Sequence, residues 1–385
     1  MPIFDPQCIT YSQMNLMFNA RYYYRRLTTW TRAYLMSRYF NIGTTEALFE
    51  RLYLETLEIG RMLYLVFGRR ISEEYSQLLS QYAIIFHQLI DAQLEGNIEA
   101  VNENVKRLYQ NVEDRAIFIS SINPYWSAEA YQELFNSYIK NMIESANAIL
   151  EQDSVRDIEL YDMLNEHTDR MGDVFAEGIY AYLTSAASIN SSNILSNPGD
   201  VPCVTQEQMD DIYTVRMLWF ELIVWTRNYM IQRYAGTGDP EEALIRLMQV
   251  PVTYVTTLSK YFPDIDVDQY LQLFFNYITL ISDFVTAMID DDVERLNEIT
   301  VELYRNADER AAFIASINPE WNEEERRNEL YANLSSTIEQ SNTFLTGDYE
   351  RNIDIFTRLL DQAEIASAVL SNGLFEHITG NQPPG

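Results

Sequence analysis

The stretch Leu108-Tyr-Gln-Asn-Val-Glu-Asp-Arg-Ala-Ile-Phe-Ile-Ser-Ser-Ile-Asn-Pro-Tyr-Trp126 returns later as Leu303-Tyr-Arg-Asn-Ala-Asp-Glu-Arg-Ala-Ala-Phe-Ile-Ala-Ser-Ile-Asn-Pro-Glu-Trp321. The offset is 195 residues, and the same offset relates Trp30-Thr31-Arg32 to Trp225-Thr226-Arg227. A solenoid unit is far shorter, roughly 20–50 residues. The 385-residue chain is therefore predicted to contain two homologous domains rather than a repeat array.

The repeated stretch belongs to a helical pattern of apolar residues. Residues three and four apart form the buried stripe of an amphipathic helix, and both copies show this spacing. The stripe contains Ile98, Val101, Val105, Leu108 and Val112 in the first copy, and Val293, Leu296, Thr300, Leu303 and Ala307 in the second. The sequence predicts an all-α protein of two tandem homologous antiparallel helical bundles, with about six helices each.

Turn signals divide each copy into helices. Asp239-Pro240 is a strong helix start, and the proline after Asn123 or Asn318 ends the helix before it. We predict helices near 11–40, 45–67, 72–95, 97–120, 127–151 and 155–183, with counterparts about 195 residues later. A stretch rich in Ser, Asn, Pro and Gly predicts a linker at 185–201. The expected domains are 1–184 and 202–379, followed by a tail at 380–385.

The charge of the chain limits its partners. The net charge is −30, and lysine occurs only at Lys106, Lys140 and Lys260. Nucleic acids and anionic membranes attract basic clusters, so this composition argues against both as partners. Acidic, lysine-poor surfaces keep a protein soluble at high salt, and they can also attract cationic partners or divalent ions.

The N-terminus and the most apolar stretch bear on location. Residues 1–5 have neither the basic start nor the apolar core of a signal peptide. The stretch Leu273–Ile289 is interrupted by Asn276, Ser282 and Asp283, and we take it as too short to cross a bilayer. We expect a cytoplasmic or otherwise soluble protein without membrane insertion.

The two cysteines occupy matching positions. Cys8 and Cys203 open the two copies. A disulfide requires the two Cα atoms to lie within about 7 Å of each other, so the thiols can pair only if the openings of the copies meet. The alternatives are a disulfide and two reduced, inert thiols.

Motifs for chemistry are weak. The three histidines, at His87, His167 and His377, are not duplicated, and no zinc spacing or catalytic triad is present. Asp264-x-Asp266-x-Asp268 resembles the start of an EF-hand loop but lacks its glycine and final glutamate. Asp290–Glu294 resembles the Asp-Asp-x-x-Glu magnesium motif of all-helical prenyl-transferring enzymes. Both are better explained as acidic helix starts, so we predict no catalytic residues, no metal site and no cofactor.

Several polar residues are kept in both copies and are candidate binding residues. Arg21 and Arg32 share a helix face, because they are eleven residues apart. Arginines inside a bundle need acids such as Glu103, or helix C-terminal carbonyls, as partners. The alternative is that they form an anion-binding pocket. The candidates are Arg21, Arg32, Glu103 and Arg115, with counterparts Arg216, Arg227, Glu298 and Arg310.

The Ile-Asn-Pro-x-Trp segments are predicted to be structural elbows. Proline stops the preceding helix, asparagine bonds to local backbone, and tryptophan buries a large ring beneath the turn. The elbow residues are Asn123, Pro124 and Trp126 in the first copy, and Asn318, Pro319 and Trp321 in the second.

The motif Arg-Met-Leu-Trp-x5-Trp-Thr-Arg at 216–227, followed by Ser-Ile-Asn-Pro-x-Trp, resembles a family of uncharacterised helical-bundle proteins, mainly from Firmicutes. Its members are about one repeat long, so the resemblance implies a tandem duplication here. The family tends to have Glu and His within the first motif. The corresponding residues here are Phe220 and Leu222, and Arg25 and Leu27 in the first copy. The resemblance therefore implies fold more than function.

Two hypotheses of function follow from these observations. The first is a non-enzymatic structural or interaction protein that uses acidic helical surfaces to self-associate or to bind a protein partner. The second is a small-ligand or metal-binding bundle, enzymatic or not, with a polar site inside each repeat. The loss of the family's Glu and His favours the first, and the duplicated arginines favour the second.

Overall fold

The computed structural model describes residues 4–190, 201–318 and 320–380. Over these residues the chain forms twelve α-helices and two short strands, β1 (Ile9–Thr10) and β2 (Cys203–Val204). The all-α prediction is confirmed. The chain divides into two compact units, Met1–Cys203 and Val204–Gly385.

The first unit is built around its first helix, α1. Of the 30 residues of α1, 20 are buried, and they include arginines, threonines and tyrosines as well as apolar residues. Helices α2, α5 and α6 pack against it. Because α1 is surrounded, its polar side chains need partners inside the unit. The helices are α1 (Tyr11–Phe40), α2 (Thr45–Arg61), α3 (Tyr64–Leu94), α4 (Ile98–Ile122), α5 (Ala128–Leu150) and α6 (Ser154–Asn190).

The second unit has the same order of helices. Its first helix, α7, buries 21 of 30 residues and packs against α8, α11 and α12. Helices α7 and α10 begin and end 195 residues after α1 and α4. The helices are α7 (Gln206–Ala235), α8 (Pro240–Ser259), α9 (Val267–Ile289), α10 (Val293–Ile317), α11 (Glu323–Thr346) and α12 (Tyr349–Thr379).

Helix boundaries follow local sequence signals in most places. Thr10 and Thr205 cap α1 and α7 with the same capping box. The predicted helix 45–67 is wrong at its end, because α2 stops at Arg61 and Gly68 breaks α3 with a positive φ of 81°. Helix α6 runs to Asn190, into the segment predicted as linker. Residues 191–200 of that segment lie outside the described residues, as do 381–385 of the predicted tail.

Helix α9 contains the apolar stretch noted in the sequence. It is 23 residues long and, among the described residues, it is the one helix long and apolar enough to cross a membrane. The expectation that the stretch is too short is wrong, because the helix starts six residues earlier, at Val267. One face of α9 is buried, including Tyr270, Phe274 and Ile278, and packs against α10. A helix that buries one face in this way is typical of the core of a folded domain.

Candidate functional site

The duplicated arginines of α1 form ion pairs with aspartates of α6. Arg21 donates two hydrogen bonds to Asp173, at 2.6 and 2.8 Å. Arg32 pairs with Asp157 in the same two-point manner, and both of these side chains are almost fully buried. Fork-shaped pairs of this kind fix the orientation of both side chains. In the first unit these arginines therefore hold α1 to α6.

Two further arginines of α1 also form ion pairs, and the sequence analysis did not predict their partners. Arg25 donates to both oxygens of Asp169 at 2.9 and 2.6 Å. Arg26 donates to the buried Glu55 at 2.9 Å. The partners come from α6 and α2, far away in sequence.

Uncharged side chains are among the contacts of the corresponding arginines in the second unit. Arg216 lies 3.4 Å from the hydroxyl of Ser371, and Arg227 donates to the amide oxygen of Asn352 at 3.3 Å. Asn352 stands 195 residues after Asp157, so an amide replaces the carboxylate.

The glutamates proposed as partners lie elsewhere. Glu103 and Glu298 are exposed, and Glu298 accepts a hydrogen bond from Arg295 at 3.1 Å. The inward stripe of α4 contains Leu108 and Arg115, and Glu103 is outside that stripe. The expected pairing of Glu103 with the arginines of α1 is therefore wrong, because the acids of α6 take that place.

Arg115 and Arg310 form a second kind of buried arginine. Arg115 donates to the backbone oxygen of Asn111 and stacks on Phe135 at 4.5 Å. Arg310 stacks on Tyr277 at 4.2 Å. Its Nε and Nη1 have no hydrogen-bond partner within the described residues. Burial lowers the pKa of Arg310 below its ordinary value. Such a guanidinium can attract an anion.

Three tyrosines meet at the centre of the first unit. The hydroxyl of Tyr24 lies 3.0 Å from that of Tyr131 and 3.4 Å from that of Tyr75, and the last two are 3.2 Å apart. Burial raises the pKa of all three phenols above their ordinary value. The hydroxyls satisfy one another, as buried polar groups must. This network is therefore a neutral structural element.

The first elbow is built by a close approach between a tryptophan and a glycine. Asn123 donates to the backbone oxygen of Gly178 at 2.8 Å, and Trp126 donates to that of Val174 at 3.0 Å. A Cβ atom on Gly178 would overlap the indole nitrogen of Trp126. The ring also stacks on Phe175 at 5.1 Å. These contacts connect the α4–α5 turn to α6.

The second elbow repeats part of this arrangement. Asn318 donates to the backbone oxygen of Gly373 at 3.4 Å, and a Cβ atom on Gly373 would again overlap the indole of Trp321. Trp321 is 1% exposed, so its ring is fully packed. Pro319, which was predicted to complete this elbow, lies outside the described residues.

The two cysteines are joined. Cys8 and Cys203 form a disulfide with a Cα–Cα distance of 5.0 Å. Of the two alternatives left open by the sequence, the structure therefore has the disulfide rather than free thiols. The bond closes a loop of 195 residues around the first unit.

The acidic motifs serve as helix caps. Asp266 accepts from the backbone nitrogen of Gln269 at the start of α9, and Asp292 does the same for Arg295 at the start of α10. Asp291, with φ of 56°, forms the left-handed turn before α10. No group of three or more His, Cys, Asp or Glu in the described part of the chain could hold a metal ion. The motifs are therefore explained by helix capping.

The histidines lie in separate local settings. His167 contacts a backbone oxygen of its own helix, and His377 lies 3.1 Å from the backbone oxygen of Tyr261. His87 contacts the hydroxyl of Tyr34 at 2.5 Å. The three imidazole rings therefore contact different groups of the protein.

The second unit contains a cleft that the sequence did not predict. It lies between α7, α11 and α12 and has a volume of about 120 Å³. Trp219 and Ile365 form part of its lining, and Ile365 is 68% exposed. The residues lining the cleft are Trp219, Glu329, Leu330, Ala332, Asn333, Gln362, Ala363, Ile365 and Ala366. Most of this surface is apolar, so the cleft suits an apolar molecule.

Comparison with known proteins gives no family. No protein-family model, no curated protein and no solved structure matches the chain. The resemblance to the Firmicutes family therefore stays a prediction, and function has to be argued from the residues themselves.

Proposed function

We propose that the protein is a non-enzymatic structural or interaction protein that binds a positively charged protein partner through its acidic helical surface. The observation that carries this proposal is the distribution of charge. Among the described residues, eight arginines but three carboxylates are buried. The exterior is therefore more negative than the net charge of −30 indicates.

The positive charge inside the units has a structural use. In the first unit, Arg21 and Arg32 are held by acids of α6, so they do not reach solvent. The acids outside are exposed, as in the Glu323-Glu324-Glu325 run at the start of α11. A surface of this kind attracts cationic partners and speeds their association.

The repeat supports a bivalent mode of binding. We infer that the two units are copies of one ancestral domain, because α7 and α10 follow α1 and α4 at a constant offset of 195 residues. Two linked acidic surfaces strengthen weak contacts, since the second binding event becomes intramolecular. Self-association is the alternative, and like charges oppose it until salt screens them. The Cys8–Cys203 disulfide supports a location in an oxidising compartment.

The proposal is tested with peptides of equal length that are rich in arginine, in lysine or in glycine and serine. We expect the purified chain to bind the arginine peptide most tightly, because guanidinium forms forked pairs with carboxylates. Binding should weaken steadily from about 50 to about 500 mM salt. Sedimentation at the same salt concentrations separates partner binding from self-association. Equal binding of the neutral and arginine peptides would contradict the proposal.

A second candidate function is small-ligand binding inside a unit. The specific observations that favour it are the unpaired nitrogens of Arg310 and the cleft of the second unit. The cleft favours it because it offers free volume lined mostly by apolar side chains.

A further inference from the structure

We propose that a pocket of the second unit, beside the turn between α8 and α9, binds the guanidinium group of an arginine from a protein partner. This inference rests on the proposed function, because it names the residue by which a positively charged partner is held. The pocket lies where this turn meets the C-terminal ends of α10 and α12. It shares no lining residue with the apolar cleft described above.

The size of the pocket suits a long side chain. Its volume is about 460 Å³. Ligand pockets typically have volumes of roughly 300–1,000 Å³. The lining combines aromatic and aliphatic side chains with carboxylates. An arginine side chain has the matching combination, because its stem is apolar and its head is charged.

The charged groups of the lining are negative. Asp264 and Asp266 both line the pocket, and no described lysine or arginine does. Asp264 forms no hydrogen bond or ion pair with another described residue. Asp266 caps α9 through Oδ1, which lies 2.9 Å from the backbone nitrogen of Gln269, and its Oδ2 has no described partner. Two carboxylates at one pocket, without a cation of their own, attract a positively charged group.

The lysine beside the pocket does not neutralise these carboxylates. Lys260 directly precedes Tyr261, but its Nζ pairs with Asp211 at 2.7 Å. The hydroxyl of Tyr261 donates to the same carboxylate at 2.8 Å. The positive charge of Lys260 is therefore held by Asp211, and the carboxylates of the pocket remain open to a cation from outside.

The aromatic rings of the lining favour guanidinium over ammonium. The rings of Phe262 and His377 lie 4.3 Å apart, and Phe313 stacks on Tyr270 at 4.5 Å. His377 also contacts the backbone oxygen of Tyr261 at 3.1 Å. These contacts fix the walls before a ligand arrives, which lowers the cost of binding. A planar guanidinium can stack on aromatic rings and donate forked hydrogen bonds to carboxylates.

The first unit carries the opposite charge at a matching position. Arg69 stands 195 residues before Asp264, and Ile71 stands 195 residues before Asp266. Arg69 is exposed and pairs with Glu73 of its own helix at 2.7 Å. The negative charge at these positions is therefore a feature of the second unit, and the first unit supplies the substitution that should destroy the site.

The test uses arginine, lysine and citrulline, each with an N-terminal acetyl and a C-terminal methylamide group, as probes of the full chain. Citrulline has the shape of arginine without its charge. Binding is followed through the imidazole signals in NMR spectra. His377 lines the pocket, whereas His87 and His167 lie on helices of the first unit and serve as internal controls.

We expect capped arginine to shift the signal of His377 alone, with a dissociation constant on the order of 1 mM, as ligands of this size allow. Capped citrulline should bind at least about fivefold more weakly, because it loses both the ion pair and the attraction of the cation to the rings. Capped lysine should bind more weakly than capped arginine, because an ammonium group cannot stack or form a fork.

Two variants and a matched control locate the site. Asp264→Arg introduces the residue of the first unit and should weaken capped arginine at least about tenfold. Asp266→Asn keeps an oxygen that can cap α9 and should weaken it about threefold. Asp268→Arg changes the net charge as Asp264→Arg does, at an exposed position outside the lining, and should alter the affinity by less than about twofold. Thermal unfolding of each variant verifies that it is folded.

Three results would overturn the inference and leave the proposed function standing, provided that the arginine-rich peptide still binds the unmodified chain. The first is no saturable shift of His377 up to about 20 mM capped arginine. The second is equal affinity for capped arginine and capped citrulline. The third is equal affinity of the Asp264→Arg and Asp268→Arg variants, since binding would then follow overall charge. Binding of capped arginine without binding of the peptide would refute the proposed function and a partner's arginine together, and would indicate a site for free guanidinium compounds.

Discussion

The Arg32–Asp157 pair provides the sharpest test of how the first unit is held together. We predict that Asp157→Asn destabilises this unit. The side chains are 5% and 6% exposed, so the guanidinium would remain buried after losing this carboxylate. Removing one partner of a buried pair costs about 3–5 kcal/mol. In the variant, Arg32 would keep a contact with an amide oxygen and with the ring of Tyr161, 4.8 Å away. We therefore expect a cost at the lower end of this range.

The expected loss is therefore about 3 kcal/mol, which lowers the midpoint of a unit of this size by roughly 6–12 °C. Calorimetry of the full chain is the assay, because two compact units need not unfold together. The matched control is Glu159→Gln on the same helix. Glu159 pairs with Arg156 at 3.2 Å on the surface, where such pairs contribute little.

The reasoning is refuted if Asp157→Asn and Glu159→Gln unfold at the same temperature. The second unit makes this outcome informative, since Asn352 occupies the corresponding position there beside Arg227. An unchanged midpoint would mean that the amide serves equally well in both units.

Three further predictions concern the first unit. Trp126→Ala should cost about 3–5 kcal/mol, measured by denaturant unfolding, and a loss under about 1 kcal/mol would argue against a packed elbow. Replacing Cys8 and Cys203 by serine should lower stability by up to about 5 kcal/mol, because the disulfide closes a loop of 195 residues; an unchanged midpoint in the same assay would contradict this. Burial raises the pKa of Tyr24 well above its ordinary value, so the folded state keeps a proton that the unfolded state releases. Stability should therefore fall as pH rises past about 10, and absorbance titration should show this phenol ionising only on unfolding.

Local signals made the helices predictable. Thr10 and Asp239 start α1 and α8 as caps, and both starts can be identified within four residues of sequence. The break at Gly68 was missed because its effect depends on a backbone angle rather than on periodicity. The sequence therefore predicts which segments are helical better than it predicts where a helix is interrupted.

The partners of the arginines could not be predicted from composition, because they depend on which helices pack. One signal was present. Arg21 and Arg25 are four residues apart, and so are Asp169 and Asp173. In two antiparallel helices, Arg21 can pair with Asp173 while Arg25 pairs with Asp169. The structure has both of these ion pairs.

The cleft could not be predicted from the residues that both copies keep, because it arises where the copies differ. Asn333 and Ala366 stand where the first copy has Tyr138 and Met171, so volume is lost in the second copy alone. The signal that the sequence does contain is this loss of side-chain volume at matching positions of the repeat.

The contact between indole and glycine constrains how this chain can diverge. Trp126 and Gly178 are 52 residues apart, and Trp321 and Gly373 have the same separation. Because a methyl group at either glycine would occupy the space of the ring, neither member of a pair can change first without a loss of packing. The two positions should therefore be inherited together. A tryptophan after Asn-Pro with a glycine 52 residues later is a signature by which distant relatives can be recognised when the rest of the sequence has drifted.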